Sequence, residues 1–441
     1  MPKKTNRTVY VCSECGEEYM QWQGKCAVCG NWNTLKEFSV PVATASAMRS
    51  GSVSVEQKAQ VLNDVRTDMV KRLGTGFSEF DRVLGGGIVP GAVMLLGGDP
   101  GIGKSTILLQ LADKLNQPVL YVSGEESAEQ IKLRAERLGV NSAHIKVLAA
   151  TDATQVQAEI EAHKPTLVIV DSIQTMYDPA FPSTPGSIVQ VREGAIRFQQ
   201  LAKRIHVPLV LVGHITKEGT VAGPRTLEHL VDVVLYLEGE PEHDLRVLRA
   251  VKNRFGDASE TGLFMMQEQG LVEIDNPSQL LLEERMEAPG SVLTMVMEGS
   301  RPVLVEVQAL TVPTVFGNPR RTASGFDLNR LNLLLAVLQR RAGVDLSNHD
   351  VYLNIVGGLR VKDPAIDAAV CVALASARSE KTVNSKMVIM GELGLAGEIR
   401  RVGKQERREK EAQQLGYVIP PATRQLRSLI ENVLQNKPKL A

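Results

Sequence analysis

No apolar run in this 441-residue sequence approaches the roughly 18 residues that a membrane-spanning helix needs, which excludes a helical membrane protein. The opening residues Met1-Pro2-Lys3-Lys4 carry no apolar stretch of the secretory kind, so a cytoplasmic location without a membrane partner is expected. There is no surplus of charge either, since 50 Lys and Arg offset 50 Asp and Glu. A dedicated DNA-binding domain usually shows a basic excess. A ring or filament can instead line one channel with a few basic loops, so neutrality neither supports nor excludes DNA. Internal repeats and low-complexity tracts are absent. Cysteine is scarce: there are five, four of them between residues 12 and 29. The fifth, Cys371, sits in the apolar, helix-like Ala368-Ala369-Val370-Cys371-Val372-Ala373 and is expected in a core.

What is present is the composition of a soluble globular protein, 43% apolar and 23% charged, long enough for two or three domains. Residues 1–36 form a short cysteine-bearing unit, and residues 37–60, small and polar, read as a linker. Between 61 and 275, apolar runs at 92–96, 119–122, 167–170 and 209–212 alternate with helical patterns at 105–115, 128–138 and 188–205. Strands apolar throughout suit a parallel sheet covered on both faces by crossover helices. A second α/β pattern fills 285–441, with strands expected at 292–297, 303–307 and 387–390 and helices at 328–342 and 365–376.

The pairs Cys12-x2-Cys15 and Cys26-x2-Cys29 stand ten residues apart. Four thiolates complete a closed tetrahedral Zn²⁺ site, which is structural because no position is left open for substrate. Disulfides are disfavoured in a cytosolic chain. The unit is too small to fold on its own core, so metal binding is expected to supply its folding free energy. Tyr10, Trp22 and Trp32 are expected to pack around the knuckles; the two tryptophans could instead stack on bases or a partner.

Gly98-Asp99-Pro100-Gly101-Ile102-Gly103-Lys104-Ser105 matches the whole G-x4-G-K-[ST] phosphate loop, with Thr106 opening the helix behind it. An apolar strand precedes it and an apolar-periodic helix follows, as the motif requires. Glycines let main-chain N–H groups turn inward around the phosphates of ATP, and the helix N-terminus adds its positive end. Lys104 is expected to reach the β- and γ-phosphates and Ser105 to ligate Mg²⁺. The run Leu167-Val168-Ile169-Val170-Asp171 has the form of a Walker B strand, placing Asp171 to hold Mg²⁺ through water. Hydrolysis also needs a group to orient water, and Tyr121-Val122-Ser123-Gly124-Glu125-Glu126 ends a core strand in two carboxylates. Glu125 is the choice, with Glu126 starting the next helix.

Taken together, the phosphate loop, Tyr121-Val122-Ser123-Gly124-Glu125-Glu126-Ser127, Val170-Asp171-Ser172-Ile173-Gln174-Thr175 and Lys252-Asn253-Arg254-Phe255-Gly256, behind a four-cysteine unit, resemble the bacterial RadA/Sms family of DNA-repair proteins over essentially the whole chain. The resemblance implies a RecA-like core operating like a replicative ring helicase. It further implies a homo-hexamer on single-stranded DNA that assists RecA recombinase in branch migration of branched recombination intermediates. By the same resemblance Lys252 and Arg254 enter the neighbouring subunit's ATP site. A trans-acting arginine suits phosphoryl transfer, which needs charge stabilisation, and couples hydrolysis to assembly; the alternative is a basic surface turn. His214, ending another core strand, is either a γ-phosphate sensor or a locally hydrogen-bonded histidine. The Gly-rich loop 216–225, with Lys217 and Arg225, is the candidate for gripping the DNA backbone.

Residues 285–441 resemble the proteolytic domain of Lon through Gly357-Gly358-Leu359-Arg360-Val361-Lys362-Asp363-Pro364-Ala365 and Gly391-Glu392-Leu393-Gly394. Lon uses a Ser–Lys dyad. The stretch where Lon has Asp-Gly-Pro-Ser here reads Asp363-Pro364-Ala365-Ile366, without serine, and Ser376 and Ser379 lie a helix-length further on. A fold retired from proteolysis is expected, kept for assembly and for DNA contact through Arg320, Arg321, Arg360 and Lys362, or with those cations merely solvated. The competing functions are a protease and a regulatory ATPase that binds protein alone.

Overall fold

The computed structural model describes residues 6–12, 18–27, 30–41, 71–140, 143–181, 183–214, 227–239, 243–274, 278, 285–315 and 317–435; for 6–9, 11, 18, 36, 38–41, 214 and 435 it describes the backbone alone. Cys15, Cys29, most of the expected linker and the loop 216–225 lie outside the described residues.

At the N-terminal end, β1 (Asn6–Cys12), β2 (Glu18–Tyr19) and β3 (Leu35–Pro41) form an antiparallel sheet in the order β2-β1-β3. Residues 37–41, expected as the head of a linker, are instead paired along β1, from Leu35 opposite Cys12 to Pro41 opposite Asn6. Phe38 and Val40 give this stretch strand propensity, and β1 offers it an open edge. Cys12, Cys26 and Leu35 are buried together, with Tyr10 and Tyr19 packed on them. The tryptophans do not join this cluster: Trp22 and Trp32 are 57% and 69% exposed, flanking Gly24.

The chain divides into two compact units, one of Met1–Glu238, Leu248–Ala258 and Gln267–Leu271, the other of Gly239–Val247, Ser259–Met266 and Val272–Ala441. The first unit carries α1 (Ser78–Leu84), then β4 (Val93–Gly98), α2 (Lys104–Leu115), β5 (Val119–Ser123), α3 (Ala128–Arg137), β6 (Ile145–Ala149), α4 (Ala153–His163), β7 (Leu167–Asp171), α5 (Ile188–Ile205), β8 (Leu209–His214) and β9 (Val233–Glu238). Its parallel strands lie in the order β9-β4-β8-β7-β5-β6. β4, β5 and β7 are buried at every position, which is why they read as unbroken apolar runs rather than alternating ones. The helix starts are written in the sequence. Ser127 and Gln130 make a reciprocal capping box on α3, and Asp152 and Ser187 cap α4 and α5. Along α5, Val191, Ala195, Phe198 and Ala202 recur at helical spacing and bury one face in the core with β4, β5, β7 and β8.

The two units do not part at a single point near 275–285. β10 (Leu245–Asn253), β11 (Thr261–Gln267) and β12 (Gly270–Glu273) each begin in one unit and end in the other. The second unit is built on β13 (Ser291–Glu298), β14 (Arg301–Pro313), β15 (Arg321–Ser324) and β16 (His349–Ile355), ordered β13-β14-β16-β15, with β15 parallel to β16 and the other pairs antiparallel. The expected helix at 328–342 divides into α6 (Leu328–Val337) and a π-helical turn (Leu338–Ala342). α7 (Asp367–Ser379) is buried over nearly its whole length against β13 and β14, and Cys371 is a fully buried core residue whose thiol pKa burial drives well up. The strand expected at 387–390 makes only isolated bridges, Met387 to Val418 and Val388 to Leu293. α8 (Gln405–Gln414) and α9 (Leu426–Gln435) close the unit.

Arg408 on α8 is 3% exposed, donates to the carbonyls of Met295 and Gly403 and pairs with Asp363 at 2.6 Å. Asp363 in turn accepts from the N–H groups of Met297 and Ala365. Removing one partner of a buried pair strands the other charge. Arg408→Ala is therefore expected to destabilise this unit by about 3 kcal/mol, read as an earlier transition in urea.

Candidate functional site

The phosphate loop links the C-terminal end of β4 to α2. Gly98 has φ 153°, and a Cβ there would lie 2.6 Å from the carbonyl oxygen of Leu237. Gly101, by contrast, faces open space with φ 77°. One glycine is demanded by crowding, the other by backbone direction alone. The loop ends where α2 starts, so the first N–H groups of the helix have no partner within it and point toward any anion in the loop. Lys104 is only 4% exposed, and its Nζ donates to the carbonyl oxygens of Gly98 and Asp99, both at 2.9 Å. Burial lowers its pKa, against Asp171, Asp99 and Glu125, which raise it.

Asp171 ends β7 and is 8% exposed. The pairing of β5 with β7 sets Ser123 opposite Asp171 and Tyr121 opposite Ile169. The Tyr121 hydroxyl donates to Asp171 Oδ2 at 2.7 Å, and burial first, then Asp171, push its pKa well above the ordinary phenol value. Gly124 follows Ser123 and donates its N–H to the carbonyl of Asp171 at 3.0 Å. A Cβ on Gly124 would lie 1.9 Å from Thr175 Oγ1, so only glycine lets β5 turn here beside the Walker B turn.

The two carboxylates that follow have different partners. Glu125 Oε1 accepts a hydrogen bond from Ser172 Oγ at 2.7 Å, and Ser172, fully buried, is the neighbour of Asp171. Glu126 is instead paired with Arg134 on α3. β8 lies between β4 and β7 and ends at His214, whose backbone is in register with Gly98. Lys104, Asp171, Glu125 and the His214 backbone therefore share the C-terminal edge of one sheet. Ser105 and Asp171 have the oxygen donors a magnesium ion takes.

Lys252 and Arg254 are not part of this cluster. Lys252 Nζ donates to the carbonyls of Glu228 and Val231 at 2.7 and 2.8 Å. Its pKa is lowered by burial and then by the neighbouring Arg254. Arg254 Nη1 donates to Asp232 Oδ1 at 3.0 Å, and the other oxygen of Asp232 accepts from the N–H of Val93 at 3.1 Å. Val93 is the first residue of β4 and Gly98 the last, five steps apart, which is about 16 Å of extended strand. The guanidinium is thus anchored at the opposite edge of the sheet from its own phosphate loop. Neither the Asp232 anchor nor the hydroxyl contacts of Tyr121 and Ser172 were anticipated from sequence. A tyrosine inside an otherwise apolar strand was the available signal, because a buried phenol needs an acceptor.

Among the described residues no group of three or more His, Cys, Asp or Glu side chains is placed to hold a metal. Cys12 and Cys26 nevertheless fit a thiolate site. Both are buried in one small cluster, and the turn after Cys26 is closed by its carbonyl accepting from Gly30 at 2.9 Å. In the second unit, Ala365 is fully buried. Ser376 is also buried, with its hydroxyl accepting from the N–H of Gly290 and donating to the carbonyl of Lys381.

Residues 62–220 match the family described as AAA domain, and residues 10–37 match the one described as Rubredoxin metal binding domain. The chain is 49% identical over 425 residues to the DNA repair protein RadA of Bacillus subtilis (strain 168), covering 94% of this chain and 93% of that protein. It is 50% identical over 428 residues to the DNA repair protein RadA of Halalkalibacterium halodurans, covering 95% and 93%. The crystal structure of the RadB recombinase aligns with 46% of this chain and all of its own, at 24% identity and a TM-score of 0.38. With half of its residues shared along nearly the full length of these relatives, the chain belongs to the RadA family of DNA repair proteins.

Proposed function

We propose that this protein is a DNA-dependent ATPase of recombination and repair. It works as a ring of six copies on single-stranded DNA and promotes branch migration of recombination intermediates together with RecA recombinase. The observation that carries this reading is the division of charged groups between two edges of one sheet. Lys104, Asp171 and Glu125 gather at the C-terminal edge, while Arg254 is tied to Asp232 beside the first residue of β4. An arginine held that far from its own phosphate loop can serve phosphoryl transfer only in another copy.

In this reading residues 98–106 wrap the triphosphate, whose oxygens replace the carbonyls of Gly98 and Asp99 as partners of Lys104. Ser105 and Asp171 hold Mg²⁺, which when bound draws negative charge from the phosphates. Glu125, steadied by Ser172, orients and deprotonates the attacking water. Lys252 and Arg254 of the adjacent copy offset charge developing on the γ-phosphate. The basic loop 216–225 grips the DNA backbone, and Cys12, Cys15, Cys26 and Cys29 hold a structural Zn²⁺. The second unit performs no proteolysis, which Ala365 and the tied hydroxyl of Ser376 support. No helix among the described residues is long and apolar enough to cross a membrane; this reading places the work on DNA in the cytoplasm.

The first test is the steady-state ATPase rate with and without single-stranded DNA in rising salt. Stimulation that fades as salt rises is expected of a motor gripping phosphates; a rate indifferent to DNA would favour a regulatory ATPase that binds protein alone. Glu125→Gln should leave ATP binding intact and slow hydrolysis by roughly 100-fold or more. Glu126→Gln, by contrast, should cost little, and the reverse ranking in single-turnover assays would exchange the two roles. Arg254→Ala should lose turnover by about 1,000-fold. Mixing it with Lys104→Ala chains should restore part of the rate by pairing an intact loop with an intact finger, whereas no recovery in the mixture would show that the arginine acts within its own chain.

A further inference from the structure

Tyr121 is the one polar side chain in Val119-Leu120-Tyr121-Val122, on a strand buried at every position, and it is 1% exposed. It stands two residues before Ser123, which is in register with Asp171. Two residues of parallel strand rise about 6.6 Å, close to the reach of a tyrosine from Cα to its hydroxyl. The ring therefore lies alongside β7 and delivers its O–H to Asp171 Oδ2 at 2.7 Å. Ser123, nearer to Asp171 along the backbone, makes a different contact, its Oγ accepting the N–H of Glu126 at 3.0 Å. A phenylalanine would fill the same space in this apolar strand. The hydroxyl thus has a purpose that packing alone does not require.

We propose that Tyr121 is a positioning residue for magnesium–nucleotide binding: it fixes one oxygen of Asp171 and so leaves the other for the hydration shell of the metal. A carboxylate that acts through water has two soft joints between itself and the ion. Its own torsion must then be held by the protein, as partners of metal-binding carboxylates hold theirs. Tyr121 acts through Asp171 alone. This rests on the proposed ATP site, in which Asp171 serves Mg²⁺.

The test is binding of a fluorescent ADP analogue to the full-length protein, titrated with MgCl₂ and repeated in EDTA. For Tyr121→Phe the Mg²⁺ concentration giving half of the metal-dependent gain should rise about tenfold, with affinity in EDTA unchanged. In an Asp171→Asn background the same substitution should change nothing further, because the group it acts through is already altered. Superimposable Mg²⁺ curves for wild type and Tyr121→Phe would overturn the assignment. So would an equal loss of affinity in EDTA, the signature of a tyrosine that merely supports the strand. If the wild type itself gains no affinity from Mg²⁺, the nucleotide-site reading fails, and the role of Tyr121 fails with it.

Discussion

The in-register pairing of β5 with β7 is the constraint on which the site depends. It sets Ser123 beside Asp171, and from that one alignment follow three contacts: the tyrosine hydroxyl on Asp171, the Gly124 N–H on the Asp171 carbonyl, and the Ser172 hydroxyl on Glu125. A slip of one residue would turn every side chain of the strand to the other face. It would aim Tyr121 away from Asp171 and put Leu120 or Val122 in its place. The apolar strands thus act as a ruler: hydrophobic burial sets the register, and the register sets the polar geometry at the strand ends.

Lys104 shows how the same edge handles charge. A cation buried in the phosphate loop is costly, and its lowered pKa records that cost. Asp171, Asp99 and Glu125 oppose the shift, so the lysine is outnumbered by carboxylates. In the proposed reading, such a set favours a triphosphate that arrives with a divalent cation over a bare one.

The legible parts were those in which one residue type has one physical use. The phosphate loop could be read because glycines, a lysine and a serine at fixed spacing between strand and helix have few other purposes. The buried parallel strands could be read because burial on both faces leaves unbroken apolar runs. The preference for Glu125 over Glu126 rests on position alone; the structure gives the two carboxylates different partners, Ser172 for Glu125 and Arg134 for Glu126. Contacts between residues far apart in the chain were not legible. Asp232 meets Arg254 across 22 residues, and Tyr121 meets Asp171 across 50. Local pattern carries no signal at such separations. Residues 37–41 differ for a related reason: Phe38 and Val40 favour a strand, but the β1 partner that completes it lies far back in the sequence. The run at 387–390 failed in the opposite sense, apolar enough for a strand but bridged at only two points.

The passage of the chain back and forth between its units through β10, β11 and β12 bears on how such a protein can be taken apart. Leu245, Val247 and Leu263 are buried in the same apolar cluster as Val292, Val303 and Val307, although the ATPase strands lie on either side of them in sequence. A fragment ended at residue 275 would keep those side chains and lose the core that covers them. The two units are consequently not beads on a string that gene fusion could exchange at a linker. Any shortened version has to be cut around three strands rather than between two domains.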